Sequence, residues 1–239
     1  MNLSNLNTSD VDLDSAILTF ALNLEYLEAE YYLRATTGIG VDAHIDEVTN
    51  TQASGSVTIK PNPKVPFKTG FVEDVAAEIA QDELNHVRFF REALGTFAVA
   101  RPAIDLLNSF NILAQAAGLG ESFDPFADDT NFLIGAFVFE DVGVTAFRGA
   151  APLISNKDYL ANAAGILAVE AYHAGIIRSL LYGLGWRTVK YANQISKVRD
   201  KLTGAGSEVT DQGLELNGKP NWFLPTQIPA RSADQTAKF

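Results

Sequence analysis

Two Glu-x-x-His pairs, Glu83/His86 and Glu170/His173, each lie inside a long apolar stretch and together use two of the three histidines in the chain. A Glu and a His at i and i+3 stand on one face of a helix, about one turn apart, so both side chains can reach a single point. That is the geometry of a metal-ligand pair. Helical bundles that hold two metals in their core use two such pairs plus one further Glu on each of two other helices. Such a chain is committed to four long helices, and its sequence has to supply the two lone glutamates.

Glu25, in LTFALNLEYLEAEYYLRA, and Glu140, in NFLIGAFVFEDVGVTAFRGA, meet that requirement, since each run suits a long buried helix. The two runs match each other: Tyr32 and Ala35 follow Glu25 at the offsets at which Phe147 and Ala150 follow Glu140. Glu83, His86, Arg91 and Leu94 likewise align without a gap on Glu170, His173, Arg178 and Leu181. The order Glu, Glu-x-x-His, Glu, Glu-x-x-His is what duplication of a helical hairpin about a pseudo-twofold axis produces.

A solvated surface pair is the competing explanation for any one Glu-x-x-His. With 29 acidic residues in 239, an acid three positions before a histidine arises by chance roughly one time in eight. The neighbours on each helix face separate the two explanations. Ala21, Leu22, Ala29 and Tyr32 flank Glu25, Ile79, Ala80, Val87 and Phe90 flank Glu83, and comparable sets flank Glu140 and Glu170, with no Lys or Arg among them. Four carboxylates on core-facing stripes demand compensation, because desolvating one charge costs on the order of several kcal/mol. Two divalent cations balance four glutamates when both histidines are neutral. A cluster of carboxylates sharing protons is the alternative.

Composition fits a single soluble domain: 239 residues with 47% hydrophobic content can bury a sizeable core. The net charge of −11 argues against nucleic acid or an anionic membrane as partner. The absence of cysteine excludes disulfides, thiolate ligands and iron–sulfur clusters, so any metal site is built of oxygen and nitrogen. The polar, acidic N-terminus is unlike a secretory signal and reads as cytoplasmic as written, with a removed signal invisible to this argument. Glu, Asp, Asn or Gly interrupts each apolar run, so none is expected to cross a membrane.

The first helix is expected to start near Asp12 to Ser15, whose side chains, Asp14 among them, can cap it, and to end before Gly38 and Gly40. Residues 38–70 break the helical pattern, and SGSVTIKPNPKVPFKTG suggests an extended excursion or a small hairpin, either a cover for one end of the bundle or a variable surface loop. His44 lies in this insert without a partner pattern and is not expected to be a ligand. A second helix runs from about Val72 to Leu94. A crossover, 95–129, with a short helix in PAIDLLNSFNILAQAAG, precedes a third helix from about Thr130 to Ala150. A fourth follows from about Lys157 to Tyr182. Residues 1–185 thus form the expected bundle and 186–239 a C-terminal helix with an irregular tail, in which Trp222, Phe223 and Leu224 are expected to dock on the same subunit or a neighbour.

NLEYLEAEYYLRA, QDELNHVRFFREALG, FVFEDVGVTAFRGAAPLI and AGILAVEAYHAGIIRSLLY together resemble the ferritin-like superfamily, and within it the desiccation-related ferritin-like domain proteins of bacteria and plants. The resemblance covers residues 10 to 185 and implies an all-α, ferritin-like four-helix bundle with one long crossover. Carried over by position, its metal ligands are Glu25, Glu83, His86, Glu140, Glu170 and His173. Glu28, one turn after Glu25, is a base standing behind the ligands, an extra ligand or a rim residue. Tyr32 is a hydrogen-bond donor to a ligand carboxylate, a one-electron donor, or a packed aromatic with its hydroxyl satisfied.

Carboxylate ligands suit iron and manganese alike, and six ligands shared by two such ions leave room for dioxygen or hydrogen peroxide. The expected function is a di-iron or di-manganese protein of oxidative or desiccation stress protection, of peroxidase, catalase or metal-oxidase type. Structural metal ions in a non-catalytic stress protein, or metal storage, are the alternatives. Apolar helix faces left over after bundle closure would suit a homodimer.

Overall fold

The computed structural model describes residues 8–45, 54–204, 211–216 and 218–221. Its helices are α1 Thr8–Thr37, α2 Gly70–Leu94, α3 Asn108–Ala116, α4 Asp129–Ala150, α5 Lys157–Gly183 and α6 Trp186–Thr203. Strands of two residues each, β1 Val57–Thr58, β2 Ile104–Asp105, β3 Glu215–Leu216 and β4 Lys219–Pro220, complete an essentially all-α fold.

The buried positions of α2, Val72, Val75, Ala76, Ile79, Ala80, Leu84, Val87, Phe90 and Leu94, recur every three or four residues and turn one stripe to the core. On α1 the burial is broader, because the crossover covers its outer side. Tyr31 packs with its ring centroid 4.9 Å from Phe139, 5.3 Å from Phe126, 5.6 Å from Phe132 and 6.0 Å from Phe110, while its hydroxyl donates to the Phe132 carbonyl at 2.7 Å. By length and composition alone the apolar runs of α4 and α5 are long enough to cross a membrane, since one or two acids barely lower the mean hydropathy of such a window. In α4, 67% of that window is buried inside the molecule, and in α5, 33%.

Helices α1 and α2 pack as one antiparallel hairpin, and α4 and α5 as another. Asp129 fixes the relation between them by accepting from the backbone N–H groups of Lys68 and Thr69 at 3.0 and 2.9 Å. The N-termini of α2 and α4 therefore sit together, and the crossover returns the chain along the bundle. Among its described residues the insert forms no hairpin. Its strand β1 pairs in parallel with β2 of the crossover, Val57 opposite Ile104 and Thr58 opposite Asp105. Pro61, Pro63 and Pro66 lack the N–H groups that a local return strand needs, so the pairing partner comes from elsewhere. Further on, the Val65 N–H donates to the Ala35 carbonyl at 2.8 Å and Phe67 sets its ring edge-on to Phe132, which holds the insert against the ends of α1 and α4.

Helix α1 begins at Thr8, earlier than its sequence suggests, because Asp14 is not its cap. The Asp14 carboxylate instead accepts from Ser155 N–H and Oγ, both at 2.9 Å, and from Asn156 N–H at 2.8 Å, tying α1 to the turn between the last two bundle helices. Helix α6 packs its Val189, Ala192, Ile195 and Val198 inward. The segment 211–221 is pinned by Arg178, which donates to Asp141 at 3.0 Å and to the carbonyls of Gln212, Gly213 and Asn221 at 3.2, 2.5 and 3.0 Å. Trp222, Phe223 and Leu224 lie outside the described residues.

Removing the Asp14 carboxylate leaves its donors in a half-closed turn, so Asp14→Ala is expected to cost about 3 kcal/mol in urea unfolding. Burial opposes ionisation of this group, but the bonds from Ser155 and Asn156 outweigh it and lower its pKa. Its contribution is therefore present above the unfolded value of 3.8 and is lost as the pH falls through the folded one, so the wild type and Asp14→Ala should converge in acid.

Candidate metal centre

The six residues singled out by spacing converge midway along the bundle, and all are buried. They form two groups that share one member. Glu25, Glu83, His86 and Glu170 make the first, and Glu83, Glu140 and His173 the second. In the first, His86 Nδ1 lies 3.1 Å from Glu25 Oε2, 3.3 Å from Glu83 Oε2 and 3.6 Å from Glu170 Oε1. In the second, His173 Nδ1 lies 3.1 Å from Glu83 Oε1 and 3.3 Å from Glu140 Oε2. Glu83 thus turns one carboxylate oxygen to each group. His44 belongs to neither.

His86 Nδ1 is within hydrogen-bond distance of Glu25 Oε2 and Glu83 Oε2, but many of the other polar atoms of the centre are left unsatisfied. Glu25 Oε1, Glu28 Oε2, Glu83 Oε1, Glu140 Oε2, both Glu170 oxygens and His173 Nδ1 are buried with no hydrogen-bond partner. Orphaned atoms that converge on a common point, rather than aligning on each other, suit a cation between them. Bonds of about 2.1 Å meeting at right angles place neighbouring donors about 3.0 Å apart, close to the separations found here. The residues present therefore fit a pair of metal ions, and among the described residues no Lys or Arg pairs with these carboxylates.

Electrostatics lead to the same place. Desolvation pushes the pKa of Glu25 up to about 8, with the Glu83 charge adding to it, and raises those of Glu28 and Glu170 well above the carboxylate range. Glu83 is the exception: burial opposes its ionisation, but contacts with His173 and His86 lower its pKa to about 2. Burial disfavours the charged imidazoles, yet the facing glutamates hold His86 at about 10 and His173 at about 11. Protons occupy the centre unless cations displace them.

Glu28 is not a rim residue. It is 3% exposed, and its charge is the largest one acting on Glu170. The centre thus contains five glutamates rather than four, so two divalent ions with neutral histidines leave one proton behind. Gly143 occupies the position in α4 that Glu28 holds in α1, three residues after the lone glutamate. A Cβ there would strike the Glu170 carboxylate and crowd Glu28, so the glycine makes the room that the fifth acid fills.

The halves differ in their outer contacts too. Tyr32 donates a hydrogen bond to Glu140, a candidate ligand on the opposite hairpin, whereas its counterpart Phe147 stacks on Phe90. His173 Nε2–H donates to Asp82 at 3.2 Å, which leaves Nδ1 free as a donor atom for a metal. Sequence reasoning could not single out Asp82. The one signal was its lack of a counterpart, since Val169 stands in the matching place. A structural correspondence survives at Arg91, which donates to Tyr26 at 2.6 Å as Arg178 does to Asp141, each partner directly following the lone glutamate of its half.

The model of the ferritin-like domain family matches residues 13–183. The chain is 36% identical over 213 residues to the desiccation-related protein PCC13-62 of Craterostigma plantagineum, an alignment covering 84% of this chain and 65% of that protein. To the ferritin-like catalase Nec2 of Nesocodon mauritianus it is 26% identical over an alignment of 247 residues, 97% of this chain and 72% of the relative. It thus spans slightly less than two thirds of the length of the first relative. No solved structure matches it.

Two outcomes test the geometry. In the metal-free protein Glu25, His86 and His173 have raised values, so their stabilisation is complete below the unfolded values of 4.5 and 6.5 and is lost as the pH climbs through about 8, 10 and 11. Glu83 acts in the opposite sense, but its contribution is lost only as the pH falls from 4.5 towards 2. Metal affinity rises with pH as these protons leave. The melting temperatures of chelator-treated and metal-loaded protein should therefore diverge between about pH 5 and pH 9, and a constant gap would count against ions at these groups. Gly143→Ala favours the helix by about 1 kcal/mol on propensity, yet elemental analysis should show it losing bound metal as Glu170 is displaced.

Proposed function

This chain belongs to the ferritin-like domain family, and on that premise we propose that its centre binds two iron or manganese ions and reacts with hydrogen peroxide or dioxygen in protection against oxidative or desiccation stress. The observation that carries this reading is the pair of candidate ligand groups sharing Glu83, whose orphaned oxygens and imidazole nitrogen face each other with no lysine or arginine paired to them among the described residues. Glu25, Glu83, His86 and Glu170 would hold one ion, and Glu83, Glu140 and His173 the other. Bound there, iron or manganese would supply one-electron redox steps towards the oxidant, a chemistry to which hard carboxylate donors are suited.

The protein's own groups define what can react. Glu25, Glu83, Glu140, Glu170 and His173 have no measurable exposure, so an organic substrate has no approach, while a diatomic or peroxide molecule needs only a small opening. His86, at 8% exposed, marks the most accessible side. Glu28 Oε2, without a partner of its own, is the place for the proton that charge counting requires, one turn from Glu25 and beside Glu170. Asp82 fixes the tautomer of His173, and Tyr32 fixes the Glu140 carboxylate. The stress association draws on the relative named as desiccation-related, and the choice of peroxide on the relative named as a catalase.

Complete burial also suits ions that only brace the bundle, and one comparison separates the two. Loaded with iron or manganese, the wild type should carry two ions per chain by elemental analysis and should consume peroxide or dioxygen. Glu83→Ala, which removes the shared ligand, should lower both metal content and turnover by about 100-fold. A fully loaded wild type that consumes neither oxidant, with Glu83→Ala altering stability alone, would leave the bracing role standing and remove the redox one.

A further inference from the structure

On the far side of His173 from the centre, a chain of contacts leads to solvent. Asp82 Oδ2 accepts from His173 Nε2 at 3.2 Å and lies 3.0 Å from the hydroxyl of Tyr172. That hydroxyl is also 2.9 Å from Glu78 Oε1, and the Tyr172 ring stands edge-on to the His173 ring with centroids 4.6 Å apart. Tyr172 is 45% exposed. Among the described residues, an oxidisable side chain on the surface is thus in contact with a candidate ligand, both through its ring and through a carboxylate.

The duplicated halves show that this is not a by-product of the bundle. The positions matching Tyr172 and Asp82 in the other hairpin are Asn85 and Val169, respectively, and neither can carry an electron or orient an imidazole in the same way. Tyr32 is likewise present on one side only, its counterpart being Phe147. Both tyrosines lead to the group of Glu83, Glu140 and His173, Tyr32 through Glu140 and Tyr172 through His173 and Asp82.

We propose that Tyr172 is the surface terminus through which a small neutral phenol delivers electrons to the Glu140/His173 side of the centre. The inference rests on the redox reading above and extends it to the electron donor. With iron or manganese held by Glu83, Glu140 and His173 and peroxide as the oxidant, Tyr172 would give up one electron inward, and its phenolic proton would pass to the Glu78 carboxylate 2.9 Å from its hydroxyl. The neutral tyrosyl radical then takes one hydrogen atom from the external phenol, which leaves as a phenoxyl radical, while Glu78 releases its proton to water. Two such cycles supply two electrons, which with two protons taken up from solvent reduce one hydrogen peroxide to two waters. Glu78 and Asp82 flank the site with carboxylates, so anionic reductants are repelled and uncharged ones admitted.

Tyr172→Phe keeps the ring and removes the oxidisable hydroxyl. Metal content and melting temperature should match the wild type, which separates an electron-transfer role from a structural one. Peroxide-dependent oxidation of guaiacol should fall at least 10-fold, while release of oxygen from peroxide alone should be unchanged. Rapid-freeze electron paramagnetic resonance of the loaded wild type with peroxide should show a tyrosyl signal that is absent in Tyr172→Phe and present in Tyr32→Phe. Equal guaiacol oxidation by Tyr172→Phe and the wild type, or a radical signal that survives the substitution, overturns the proposal and leaves the peroxide reaction intact. A loaded wild type inert to peroxide removes both.

Discussion

The structure depends on a concentration of unsolvated negative charge. Five glutamates from four helices meet where water is excluded and where, among the described residues, no lysine or arginine pairs with them. No arrangement of the surrounding apolar residues relieves that charge, because desolvation of an ion outweighs the packing gained by one well-placed side chain. Either protons or metal ions must be present, and the two imidazoles, each facing two or three carboxylates through Nδ1, are arranged for either occupant. The rest of the fold isolates this centre and fixes the distances between its members. Asp14 ties α1 to the turn before α5, and Asp129 ties the start of α2 to the start of α4. Both are carboxylates saturated with backbone donors, in contrast to those in the middle.

Much of the fold could be read from the sequence because the signal was periodic. Glu and His three residues apart, within stripes of apolar neighbours, located α2 and α5, and the long apolar runs around Glu25 and Glu140, with matching offsets, located α1 and α4. The six spacing-derived residues do lie together, since residues on a common helix face have little choice of direction once the helices pack. What escaped was non-local. The pairing of β1 with β2 joins residues 47 positions apart through two short segments that carry no pattern of their own. Asp14 looked like a helix cap because caps and long-range acceptors use the same residue types. The place of Glu28 stayed open because residues at i and i+3 share a face, and only the glycine at 143 shows that space was cleared for a fifth acid.

The match between the halves is what internal duplication would produce, and its breaches locate specialisation. Each half supplies a lone glutamate, a Glu-x-x-His pair and an arginine that holds the residue after the lone glutamate. Where the halves differ, as at Tyr32 and Phe147, Glu28 and Gly143, or Asp82 and Val169, the difference lies against the centre or one contact from it. Comparing a duplicated protein with itself thus does some of the work usually left to relatives.

Each hairpin packs along its own length, whereas contacts between the hairpins are sparser. Contacts that are near in sequence form early, so the hairpins can zip up separately before they meet. Their meeting brings like charges face to face, and the barrier to that late event depends on what neutralises them. Metal supply would then govern the rate at which newly made chains mature, as well as how long the finished ones last.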